Sequence, residues 1–183
     1  MRVLVPYSRG VEEIELVTVV DVLRRAGAHV TLASLDGHDA CGRSGIWLRP
    51  DEGMAEAGPR TWELVVLPGG QPNARTLQTD PRVREVVQRT ANEGGRVAAI
   101  CAAPVALAAF GVMGSRAFTC FPGTQSHVVW HAPGAVHDPR AVVDDDRVIT
   151  SAGPGTAMEF ALYLAAMLCG GDVAERVRAD LVA

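Results

Sequence analysis

The chain contains no lysine: all 17 of its basic side chains are arginines. Mechanisms that need a nucleophilic or phosphate-gripping lysine are therefore excluded, among them Walker-type nucleotide hydrolysis, Schiff-base aldolases and pyridoxal enzymes. Cysteine is sparse, and Cys41, Cys101, Cys120 and Cys169 show neither close pairs nor regular spacing. With no signal-peptide pattern around Met1-Arg2-Val3-Leu4, a reducing, cytoplasmic setting is expected. Basic blocks are also missing. At a net charge of −4, from 17 basic and 21 acidic residues, nothing favours a nucleic-acid backbone, and no nucleic-acid partner is expected. One long uncharged run, Val97 to Gly114, raises a membrane question, but it includes Pro104 and seven alanines and reads as a core strand, turn and helix. No membrane partner is expected.

What is present suits a packed globular chain: 183 residues, 48% apolar and 21% charged, the length of one ordinary domain spanning 1–183. Short β-branched runs alternate with longer helical patterns. Strands are expected at Arg2–Pro6, His29–Ser34, Leu64–Leu67 and Val97–Ile100, with a pair at Ala141–Val143 and Val148–Thr150 and a short strand near Ala117. Helices are expected at Glu12–Ala26 (closed by Gly27), from Pro81 to Gln88 and beyond, at Val105–Phe110 and at Ala157–Cys169. The Gly-Arg-Ser-Gly cluster between Cys41 and Pro50 suggests a hairpin or edge excursion. This alternation predicts an α/β, doubly wound, mostly parallel sheet with helices on both faces. Working residues of such folds lie just past the carboxyl ends of strands, here at Pro6-Tyr7-Ser8, Pro68-Gly69-Gly70, Cys101-Ala-Ala-Pro104 and Ser151-Ala-Gly-Pro154.

Cys101 is the strongest candidate among these. It stands between a buried strand and a helix start, flanked by small residues that permit a sharp turn, as in the nucleophile elbow of serine hydrolases. Backbone N–H groups and the helix dipole are expected to favour its thiolate and lower its pKa. Free cysteine otherwise behaves as a small buried hydrophobe, which is the reading for Cys41, Cys120 and Cys169. Gly69 and Gly70 form either a simple turn or, if Gly70 N–H converges with Ala102 N–H, an oxyanion hole. Glu15 has Thr18, Val19, Val22 and Ala26 at helical spacing. It is therefore either a residue on the helix rim or a buried carboxyl of raised pKa that can donate to a thiolate or exchange protons with a substrate. Glu12 and Glu13 read as ordinary first-turn residues. Thr156-x-x-Glu159 reads as a capping box rather than a phosphate loop. His127 and His131 lie four apart, but Pro122 and Pro133 bracket them and no acidic partner is spaced to match, so no metal site is expected.

Five stretches together carry a resemblance: Gly10-Val-Glu-Glu-Ile-Glu15, Val22-Leu-Arg-Arg-Ala-Gly27, Val65-Val-Leu-Pro-Gly-Gly70, Ala98-Ala-Ile-Cys-Ala-Ala-Pro104 and Thr150-Ser-Ala-Gly-Pro-Gly-Thr156 followed by Glu159-Phe-Ala-Leu. In this order they resemble the ThiJ/PfpI superfamily, in the branch of YajL and the parkinsonism-associated deglycase, over essentially the whole chain. The resemblance implies a flavodoxin-like sandwich, usually homodimeric, with Cys101 as the reactive cysteine, Glu15 as its protonated partner, and Gly70 with Ala102 as backbone donors. It also places Arg25 and Arg43 at the pocket mouth near the dimer interface. Activities it implies include cofactor-free conversion of methylglyoxal to lactate, deglycation, peptidase action and redox-regulated chaperoning.

Departures from the family pattern narrow these. Peptidase members carry histidine directly after the cysteine, where this chain has Ala102. The deglycase branch has a histidine where Phe121 stands. Glutamine amidotransferases need a late histidine, and none follows His137; the arginine common before Gly-Pro-Gly-Thr is Ala152. The expected function is a cysteine-dependent glyoxalase or deglycase acting on small α-oxoaldehydes or their early adducts, without metal or organic cofactor, with Glu15 as its acid–base group and His127 as a possible substitute for the missing histidine. The alternatives are a non-catalytic redox sensor or chaperone responding to peroxide, and a hydrolase of another small substrate, as in isonitrile hydratases.

Overall fold

The computed structural model describes all residues, Met1–Ala183. In chain order the elements are β1 (Arg2–Tyr7), α1 (Glu13–Arg25), β2 (His29–Ser34), β3 (Ala40–Cys41), β4 (Trp47–Leu48), β5 (Glu52–Gly53), α2 (Met54–Ala57), β6 (Leu64–Leu67), α3 (Gln71–Thr79), α4 (Pro81–Asn92) and β7 (Arg96–Ile100). They continue with α5 (Pro104–Ala109), β8 (Ala117–Phe118), α6 (Gln125–His131), β9 (Val136–His137), β10 (Val142–Asp145), β11 (Val148–Ser151), α7 (Ala157–Cys169) and α8 (Gly171–Leu181).

Seven strands form one sheet in the order β10-β11-β7-β6-β1-β2-β5. Every pair is parallel except β10 and β11, which form an antiparallel hairpin at the edge. Strands buried on both faces need apolar side chains throughout rather than alternation, which is why Leu64–Leu67 and Val97–Ile100 are uniformly apolar. The expected hairpin between Cys41 and Pro50 is present as the antiparallel pair β3 and β4. Fifty-six buried residues form one apolar cluster. A fully buried leucine such as Leu4, Leu67 or Leu107 contributes roughly 2–3 kcal/mol to it.

α1 follows the sequence closely, with Glu12 as N-cap, Ala26 as C-cap and Gly27 at φ +87° just beyond. The expected Thr156–Glu159 capping box is not made. Thr156 Oγ1 instead bonds back to Gly153, accepting from its N–H at 3.1 Å and lying 2.9 Å from its carbonyl oxygen, while Glu159 is exposed. Glu12 and Glu13 also depart from expectation, because both are buried. Glu13 accepts from the N–H groups of Ser44 (2.8 Å) and Ile46 (3.4 Å), tying the β3–β4 hairpin to the start of α1. These two bonds give the buried Glu13 carboxylate its partners and fix the hairpin against α1.

Candidate active site

β11, β7, β6 and β1 are neighbours in the sheet, so the loops after their carboxyl ends converge. The centre of this cluster is Cys101, at φ +65°. A non-glycine residue in the left-handed region costs on the order of 1–3 kcal/mol and persists only where its surroundings fix it. They do so here. Cys101 N–H donates to Ser151 O at 2.9 Å, and Cys101 O accepts from Phe121 N–H at 2.8 Å. The backbone is thereby clamped by the two flanking segments, and the side chain is turned out at the strand tip as in a nucleophile elbow.

Glu15 is fully buried on α1, which decides between the two placements left open by its spacing. Its Oε2 accepts from Gly69 N–H at 2.8 Å. Oε1 is buried without a hydrogen-bond partner, and the Cys101 thiol contacts the carboxyl. Burial pushes the carboxyl up to about 7, against the stabilising contacts of Cys101 and Gly69. The Gly70 and Ala102 N–H groups hydrogen-bond the Cys101 sulfur and favour its anion. The thiol is nevertheless not lowered. Burial, then the charge and hydrogen bond of Glu15, push it up to about 12, outweighing the two backbone donors. This corrects the expectation of a low-pKa thiolate. Thiol and carboxyl act as a pair around neutrality, where an ionised Glu15 can take the thiol proton as sulfur attacks.

Glycine is required at both positions opposite the sulfur. A Cβ on Gly69 would meet Cys101 Cβ at 2.6 Å as well as the Glu15 carboxylate, and one on Gly70, at φ +82°, would run into the Gly10 carbonyl. Asn73 holds this loop, donating to Pro68 O (2.9 Å) and Gly69 O (3.0 Å) while its Oδ1 accepts from Ser8 N–H at 2.7 Å.

The pocket over Cys101 and Ala102 is walled by Arg43, Gln71, Phe121 and Thr124. Arg43 reaches it from the hairpin and is ion-paired with buried Glu12 at 3.1 Å. Phe121, half-exposed, forms the apolar part of this wall. His127 lies in an adjoining groove that shares Gln71, Ala102 and Thr124 with this pocket. Arg25 is not at the pocket within one chain. It pairs with Asp21 at 2.9 Å and lines a distant groove beside α8, because it lies at the opposite end of α1 from Glu15.

The DJ-1/PfpI family model matches residues 1–167. The chain belongs to the DJ-1/PfpI family. Among its DJ-1-type relatives is the Parkinson disease protein 7 homolog of Danio rerio, 40% identical over 186 residues that cover 99% of this chain and 96% of the relative. The glutathione-independent glyoxalase DJR-1.2 of Caenorhabditis elegans is 34% identical over 161 residues, 88% of this chain and 84% of that protein. The crystal structure of Drosophila melanogaster DJ-1beta superposes with a TM-score of 0.94 at 36% identity, covering 99% of this chain and 97% of its own. Gln71 and Thr124 line the pocket over Cys101 and were missed by the sequence reading. The signal for Gln71 was its place directly after Gly69-Gly70; Thr124 lies in a Pro/Gly-rich span and had none.

Proposed function

We propose that the protein is a cofactor-independent glyoxalase or deglycase acting on small α-oxoaldehydes or their early adducts. The observation that carries this is the pairing of Cys101 with a buried carboxyl that titrates near 7, under two backbone N–H donors. Glu15 takes the thiol proton as Cys101 Sγ bonds to the aldehyde carbon, and the Gly70 and Ala102 N–H groups hold the resulting oxyanion. Protonated by Glu15, that oxygen becomes the hydroxyl of a hemithioacetal. Glu15 then removes the proton from the former aldehyde carbon and returns it to the adjacent carbonyl carbon, while the new hydroxyl's proton passes to that carbon's oxygen, an internal redox shift that leaves a 2-hydroxy thioester. Water cleaves the thioester to the hydroxy acid and frees the thiol; methylglyoxal gives lactate with no outside oxidant. With Phe121 in the wall, Glu15 carries the acid–base work alone, so turnover is expected below that of relatives with a histidine there, by about 10²–10⁴-fold.

The test is lactate formation from methylglyoxal by the metal-stripped protein, beside Cys101→Ala and Glu15→Ala. Loss of turnover in both variants supports the reading; wild-type turnover no faster than Cys101→Ala removes it. The unpartnered Oε1 of a buried carboxyl that contacts Cys101 favours one second reading, a peroxide sensor. A protonated carboxyl there can hydrogen-bond a sulfinate, formed as two peroxide molecules each give the sulfur one oxygen and leave as water. Intact mass after mild peroxide tests it. Selective gain of two oxygens at Cys101 supports the sensor, and equal oxidation of all four cysteines rules it out.

A further inference from the structure

The groove beside the Cys101 pocket has a chemistry of its own. α5 follows the elbow and packs against both α3 and α6, so the facing sides of those two helices form a trough that opens from Ala102. On α3 its wall is Gln71, Arg75 and Gln78, at spacings i, i+4 and i+7; on α6 it is Thr124, His127 and His131, at i, i+3 and i+7. Each set lies on one helical face. Trp130 also lines the groove, its ring edge-on to His131 at 4.6 Å, and Gln78 Nε2 sits 3.0 Å from His131 Nε2.

The lining contains no aspartate or glutamate. Arg75 is exposed and makes no ion pair, whereas Arg43 in the neighbouring pocket is already matched by Glu12. An unpaired guanidinium flanked by amides on its own helix, with imidazoles on the helix opposite, is suited to an oxygen anion. We propose that this groove is a specificity subsite for the anionic tail of the substrate, so that the preferred α-oxoaldehyde carries a carboxylate or phosphate. Gln71 belongs to both the Cys101 pocket and the groove, and Arg75 lies one turn further along α3, about 6 Å away. That is the span of a short chain between an aldehyde and a terminal acid.

The proposal rests on the glyoxalase reading for its substrate, so its test has an arm that needs no chemistry. In the catalytic arm, kcat/KM is measured for neutral methylglyoxal, for 4,5-dioxovalerate as the carboxylate and for hydroxypyruvaldehyde phosphate as the phosphate, in wild type and Arg75→Ala. An anionic aldehyde is expected to be preferred, and Arg75→Ala to lower its kcat/KM relative to that of methylglyoxal at least 10-fold, mostly through KM. Whichever anion shows the larger drop identifies the tail. In the binding arm, levulinate and inorganic phosphate are titrated into Cys101→Ala, with tryptophan emission read against the Trp130→Phe form. A saturable change, lost on adding Arg75→Ala, is expected. Equal loss on all three aldehydes, or no emission change with either anion, overturns the subsite. If no aldehyde is turned over but the Arg75-dependent emission change persists, the anion site stands and the glyoxalase reading falls.

Discussion

Burial holds Glu15 protonated up to about pH 7, whereas in an unfolded chain the same carboxyl ionises near 4.5. Stability from this group is therefore fully present below 4.5 and is lost as pH rises to about 7, by roughly 3 kcal/mol in all. Activity runs the other way, since only the ionised carboxyl can take the Cys101 proton. kcat/KM for methylglyoxal is expected to climb tenfold per pH unit below about 7 and level off above it. Glu15→Gln keeps an acceptor for Gly69 N–H and removes the buried charge. At pH 8 it is expected to raise the unfolding free energy by about 1–3 kcal/mol in urea titrations while abolishing turnover. A variant less stable than wild type at pH 8 would mean that Glu15 is not ionised in the fold. Spacing alone left this residue open, because an apolar i+3, i+4, i+7 face does not say whether a carboxyl at its edge is sealed. The Gly69 N–H, 54 positions away, decides it. The reversal at Cys101 has the same origin, since a local argument from helix and backbone dipoles omits the burial and the carboxylate that a distant helix supplies.

Among the elements, the central strands and helices α1, α4, α5 and α7 are legible in the sequence, and α3, α6 and α8 are not. β1, β2, β6 and β7 declare themselves by short β-branched runs, and α1 by its apolar face and Gly27. α3 did not, since only Ala74 and Leu77 among its buried residues are apolar and its third buried residue is Asn73. α6 lies within a proline-bracketed span and buries only Val128. α8 has only a sparse apolar stripe, Val173, Val177 and Leu181 at i, i+4 and i+8. These omissions matter because α3 and α6 wall the pocket and the groove. Asn73 shows how α3 earns its place: one buried amide joins the loop after β1 to the loop after β6. Asn73→Ala leaves Ser8 N–H without its acceptor and frees the Gly69-Gly70 loop. A loss of about 2–4 kcal/mol in chemical denaturation is expected, together with a fall in kcat larger than any change in KM. Undiminished kcat in a folded variant would show that the loop keeps its geometry without this tie.

At the scale of the whole molecule, the alternation of strands and helices was enough to anticipate the parallel sheet and the side on which its loops converge. The chain's outer surfaces were not readable in this way, because exposure depends on which helix faces remain uncovered after packing. α1 leaves Ile14 (56% exposed) and Val17 (49%) uncovered one turn apart. Beside them, the hairpin held to this helix by Glu13 exposes Ile46 (56%) and Trp47 (69%). Large apolar groups on one shoulder of a well-packed chain mark an interface, and the occupant we expect is a second copy, as the family resemblance implies. A two-fold contact along α1 would run the two helices antiparallel and bring the end carrying Arg25 back towards the Glu15 end. That would reconcile Arg25 with the pocket mouth, from which it is absent in a single chain. Sedimentation equilibrium at micromolar concentration is expected to give twice the 19.3 kDa chain mass. Ile14→Arg combined with Val17→Arg is expected to give a folded monomer. Because α1 also carries Glu15, freeing its outer face should lower kcat for methylglyoxal in that monomer several-fold. A wild type that sediments as a 19.3 kDa species would refute the pairing, and a monomeric variant with full kcat would separate assembly from catalysis.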